Sequence, residues 1–112
     1  MTNLKNQKEA KMTKAYLLSQ LGEFKEVRII NKNNCKIFFE YGVILQSYNK
    51  IIAIRFISRV KDKNLKYKVI LGRYYKYSKT VSKYRNKFLE ETSKQTKEKL
   101  KNNTYIYLDE LQ

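Results

Sequence analysis

Hydrophobic positions at the start of the chain repeat with the period of a helix. Ala10, Tyr16, Leu17 and Leu21, with Met12 and Leu18 beside them, form a loose apolar stripe through residues 2–21. Thr2 stands where an N-cap belongs and Gly22 where a helix ends, while Lys5, Lys8, Lys11 and Lys14 wind along one side. From residue 24 the period changes to two. "FKEVRII" reads as a first strand, the asparagine-rich "NKNN" at 31–34 as a turn, and "CKIFFEY" as a second strand with Cys35, Ile37, Phe39 and Tyr41 on one face. Gly42 permits a bend before "VILQSY", and Asn49-Lys50 makes a short hairpin connection. "IIAIRFI" is almost continuously apolar, the mark of a central strand. A charged loop at 59–66 leads to "YKVIL", with Tyr67, Val69 and Leu71 turned to the core.

Helical spacing returns in the last third. Val81, Tyr84 and Phe88, with Leu89, share one face of a helix over 79–90, and Ser78 or Thr80 can cap it. "TSKQ" at 92–95 has the form of a capping box and opens a short polar helix to about Lys101. Asn102-Asn103 closes that helix and "TYIYL" supplies a final strand. The pattern predicts an α+β fold: an antiparallel β-meander of four to five strands, with an N-terminal helix and a C-terminal helical segment packed on one face. It divides into an amphipathic helix at 1–22 and a single α+β domain at 23–112. The exposed edge at 105–108 could pair with its copy, so the expected state is a monomer or a homodimer.

Charge changes the picture from a fold to a partner. Twenty-five Lys and Arg face ten Asp and Glu in 112 residues, a net charge of +15. AT-rich coding would enrich Lys, Asn, Ile and Tyr together, but it would raise Glu as well, and Glu is scarce. The imbalance of sign points to a polyanion. It is concentrated in residues 59–87, where Arg59, Lys61, Lys63, Lys66, Lys68, Arg73, Lys76, Lys79, Lys83, Arg85 and Lys87 are opposed by Asp62 alone. On the predicted helix Lys76, Lys79, Lys83 and Lys87 align on one side, a rail suited to a phosphate backbone. Ser78, Thr80 and Ser82 would add neutral contacts near its N-terminus, and Arg85 and Asn86 are placed to reach base edges. Tyr74, Tyr75 and Tyr77 lie in too short a connection for all to be buried. One plugs the core, and Tyr75 or Tyr77 is left among cations to stack on bases or to anchor a protein contact.

Enzyme chemistry finds little to work with. The chain has no histidine, which removes the usual general base and every Ser-His or Cys-His nucleophile. Its lone Cys35 can make neither an internal disulfide nor a zinc site and suits a reducing cytoplasm. No phosphate-binding glycine loop occurs. The expectation is a non-enzyme without metal or cofactor, and no apolar run is long enough for a membrane span.

The segments "YGVILQSYNKIIA", "LGRYYKYSKTVSKYRNKFL" and "KQTKEKLKNNTYIYLDEL" together resemble a family of small uncharacterised bacteriophage proteins. The likeness spans about residues 41–111, and its most specific part is the Y-S-x-T-x-x-x-Y-x-x-x-F-L core, here Tyr77 to Leu89. Tyr75 stands where the family has Trp, Lys76 where it has Asp, and Val81 where it has Thr; the second change makes the patch more basic. The resemblance implies a phage origin, action in the host cytoplasm, and work by binding. The expected function is nucleic-acid binding, DNA or RNA, through the Lys/Arg/Tyr surface. The alternative is inhibition of a host defence or nucleic-acid-processing complex, of anti-CRISPR type, through contact with a host protein or ribonucleoprotein.

Overall fold

A computed structural model describes residues 13–57 and 68–111 of the chain. The amino-terminal half of the predicted first helix, and Arg59, Lys61, Lys63, Lys66 and Tyr67, lie outside the described residues. The elements run α1 (Lys14–Ser19), β1 (Phe24–Asn31), β2 (Asn34–Phe39), β3 (Gly42–Ser47), β4 (Lys50–Phe56), β5 (Val69–Leu71), α2 (Lys79–Leu89), α3 (Ser93–Lys101), β6 (Ile106–Tyr107) and a 3-10 turn at Asp109–Leu111. This is the α+β architecture that the periodicity predicts, with one strand more than the meander required. The six strands lie in chain order from β1 to β6. Every neighbouring pair is antiparallel except β5 and β6, which are parallel. The exception follows from the connection: α2 and α3 form a crossover between the two strands, and a crossover returns the chain in its original direction.

The helices do not gather on one face. Leu45, Ala53 and Leu71 of the sheet pack with Val81, Phe88 and Leu89 of α2 and with Tyr105. On the opposite face Ile44, Ile54 and Ile70 pack with Leu17, Leu21 and Leu111. Strands that are apolar at nearly every position have two faces to remove from water, so each needs its own cover. A register shift beside Leu45 leaves Ile52 as an extra residue in β4, and Ile52 and Ala53 both turn to the α2 side. The first helix is thus part of the core rather than an appendage. Leu17 and Leu21 are fully buried, and the carbonyl of Leu21 accepts the Tyr41 N–H at 2.8 Å. Gly22, at φ +76°, lets the chain leave α1 here. A Cβ on it would stand 2.7 Å from the Tyr41 ring.

The caps fall where the composition places them. Ser78 accepts from the N–H of Val81, and Thr92 and Gln95 form a reciprocal capping box on α3. In the β1–β2 turn the Asn31 Oδ1 accepts from the N–H groups of Asn33 and Asn34 and from Asn34 Nδ2, at 2.8 to 3.1 Å. Its own Nδ2 donates to the Tyr84 hydroxyl on α2. That bond brings the tip of the first hairpin beside the amino-terminal half of α2. Among the described residues no helix is long and apolar enough to cross a membrane.

Candidate nucleic-acid interface

The approach to α2 is wound tight. Two consecutive turns, Tyr75 N–H to Gly72 O and Tyr77 N–H to Tyr74 O, each 3.1 Å, compress the tyrosine-rich connection against the sheet. The three tyrosines are thereby sorted. The Tyr75 ring meets Tyr107 edge-on at 5.9 Å, with the guanidinium of Arg85 at 5.5 Å from its centroid. Tyr74 is half-buried, under Lys50 Nζ at 5.2 Å and edge-to-face with Tyr77 at 5.6 Å. Tyr77 is 73% exposed. Of the two tyrosines named as candidate stacking residues, Tyr77 is the accessible one and Tyr75 is a brace.

Arg85 is not at the surface. It is 2% exposed, the largest fully buried side chain of the described residues. Its Nη1 donates to the Tyr75 carbonyl at 2.6 Å, and its Nη2 to Asn86 Oδ1 at 2.9 Å and Ser93 Oγ at 2.8 Å. Desolvation pulls its pKa below the ordinary arginine value, against the opposing pull of Tyr75 and Glu91. The expectation that it reads base edges is corrected: two positions beyond Lys83, about 200° around the helix, it lies on the side that packs inward. Arg73 is also committed, through a bidentate pair with Asp109 at 2.9 and 2.7 Å. Its hydrogen bonds hold the Asp109 carboxyl well below the usual carboxylate range, helped by the Tyr107 hydroxyl.

What remains of the rail is real but divided. Lys76, Lys79 and Lys83 are exposed around a shallow depression of about 600 Å³ that also draws on Ser78, Ser82, Asn86 and Ser93. Lys87, a turn further on, faces instead a broader trough with Lys36, Arg55 and Lys68, where Glu90 brings an acid. On the other side of Ser78 lies a groove of about 770 Å³, floored by Ile52 and Val81 and walled by Tyr48, Tyr74 and Tyr77. Lys32 and Lys50 stand at its margin. No carboxylate lines the groove or the adjoining depression among the described residues.

Tyr48 and Lys50 are the residues that sequence reasoning passed over. The β3–β4 turn holds Tyr48 at φ 55°. That left-handed conformation is unfavourable for a bulky side chain and suits Gly or Asn. The ring is nonetheless 66% exposed. The available signal was a tyrosine at a hairpin position where Asn-Gly is the usual solution. The other signal, Lys32 in the asparagine turn, becomes legible only once Asn31 is seen to tie that turn to α2. No family model matches the chain, nor does any curated protein or solved structure.

Proposed function

We propose that the chain binds single-stranded nucleic acid without acting on it chemically. Bases stack in the Tyr48/Tyr74/Tyr77 groove while the phosphates lie over Lys76, Lys79 and Lys83. The observation that carries this reading is the placement of Tyr48. An aromatic ring is displayed to solvent from a backbone conformation that disfavours it, across a groove from a second exposed tyrosine, with cations and, among the described residues, no carboxylate lining the groove. Aromatic faces accept any base and lysines any phosphate, so binding of this kind tolerates many sequences. Single strands are favoured over duplexes because a base must leave its stack to reach the rings.

The resemblance to bacteriophage proteins supports a setting in an infected cell's cytoplasm. The same surface would there meet phage nucleic acid, or nucleic acid held within a host complex that the protein blocks. The test uses a labelled oligonucleotide of about twelve nucleotides, single-stranded and duplex, in an anisotropy titration. Tyrosine fluorescence, undisturbed because the chain has no tryptophan, is followed in parallel. The expected result is preference for the single strand, tyrosine quenching on binding, and a log–log salt slope of about −3 to −4 for five neutralised phosphates. Equal affinity for both forms with unchanged tyrosine emission would overturn the stacking groove.

A further inference from the structure

The two ends of the sheet are treated differently. β6 is two residues long, and the chain turns away directly into the 3-10 turn at Asp109–Leu111; an edge so short offers little to pair with. β1 is eight residues long, stands at the other end of the strand order, and is exposed at every position. Phe24 is 55% and Ile29 71% exposed, and Val27 and Ile30 also face water. The register sets Val27 opposite Ile37 and Phe24 opposite Phe39, both of which pack into the α1-side core. Phe24, Val27 and Ile29 therefore continue that apolar face outward, past the reach of α1.

The electrostatics of this edge are equally distinct. On a chain of net charge +15, the β1 segment balances its charges: Lys25 pairs with Glu23 at 3.7 Å and Arg28 with Glu26 at 2.7 Å. A neutral, apolar strand whose outer edge meets no other strand among the described residues is poorly suited to a polyanion and well suited to another strand.

We infer that β1 pairs with β1 of a second copy of this chain, antiparallel about a two-fold axis at Val27. Irregularities between Phe24 and Glu26 and between Ile29 and Asn31 leave Glu26–Ile29 as the regular stretch, and this restricts the register. With Val27 opposite Val27, Glu26 of each copy faces Arg28 of the other, two favourable cross-strand pairs on one face. On the opposite face Val27 meets Val27 across the axis, with Ile29 of each copy diagonal to it. Moving the axis to Arg28 would instead set arginine against arginine. The contact is isologous, so one patch complements itself. A single strand pair falls at the small end of stable interfaces, and the remaining positive charge of the two copies opposes it. The dimer is consequently concentration-dependent and is favoured when salt screens that repulsion.

The test is sedimentation equilibrium on full-length protein freed of nucleic acid, in about 0.3 M salt, over a wide concentration range. The expected result is a monomer–dimer equilibrium. Glu26→Arg alone should abolish it, the swap Glu26→Arg with Arg28→Glu should restore it, and Val27→Lys should leave a monomer with an unchanged circular dichroism spectrum. A monomer at every concentration, or a dimer indifferent to Val27→Lys, would overturn the proposal. So would a dimer lost with Glu26→Arg and not recovered by the swap in a protein that remains folded. Since the tyrosine groove reaches β1 only at its last residue, Asn31, and not at Val27, oligonucleotide binding by the Val27→Lys monomer distinguishes failure here from failure of the nucleic-acid reading.

Discussion

The Arg85 guanidinium donates to the carbonyl oxygen of Tyr75 at 2.6 Å, ten residues back along the chain. One buried side chain thus secures the tyrosine connection, and through Ser93 the start of α3 as well. Replacing Arg85 by Ala strands the Tyr75 carbonyl and empties the space it fills, at a cost of about 3 kcal/mol. Lysine does not supply the planar fork, so Arg85→Lys should recover only part of the loss. Urea unfolding of both variants checks this; a midpoint unchanged in Arg85→Ala would refute the structural role.

Tyr48 should show the opposite balance. Glycine adopts φ 55° without strain, so Tyr48→Gly is expected to hold or raise the melting temperature, by up to about 1 kcal/mol in stability. If the ring stacks on a base, affinity for single strands falls by roughly 1 to 3 kcal/mol in the same variant. Tyr77→Ala should behave likewise in binding. Parallel thermal melts and anisotropy titrations separate the two effects.

Charge reversal at Lys76, Lys79 and Lys83 should weaken binding across all sequences while leaving the fold intact, because all three side chains are exposed. Losing three phosphate contacts on a single strand lowers the magnitude of the salt slope by about 2. Reversal at Lys87 alone, which faces the other trough, should change that slope little. A triple variant with the parental slope would show that net charge, not this surface, governs binding.

Acid should loosen the carboxy-terminal half through Glu91. Burial pushes the pKa of this carboxyl up, but donors from Lys99, Thr96 and Tyr105 outweigh it and leave the value below the ordinary 4.5. A depressed carboxylate contributes stability that is present above its unfolded pKa and lost as pH falls through the folded one. Stability should therefore be flat near neutrality and decline below about pH 4.5. Glu91→Gln should start less stable and flatten that decline, as read from urea midpoints between about pH 6 and pH 3.

Much of the architecture was legible because it rests on local rules. The alternation from Phe24 to Tyr41, the Ser78 and Thr92 caps and the stop at Gly22 each depend on residues within a few positions of one another. The doubly apolar "IIAI" carried a further message, that both faces of the sheet need covering. The parallel β6 was not legible in that way. Its direction is a consequence of the crossover by α2 and α3, and neither strand's own pattern records it.

The candidate site divides along the same line. The chain's excess of cations, its missing histidine and the lysine spacing along α2 are properties of the sequence itself, and they determined the kind of partner sought. Which cations and rings are available to that partner was decided by tertiary contact. Arg85 and Lys83 lie two positions apart on one helix, yet the first is buried against Tyr75 and the second faces solvent. Tyr48, distant in sequence from Tyr77, joins it because the β3–β4 hairpin tip and the start of α2 border the same groove. Side-chain chemistry is written residue by residue, whereas exposure is set by whatever packs on top, and for this surface that is the long-range pairing of a helix with a sheet.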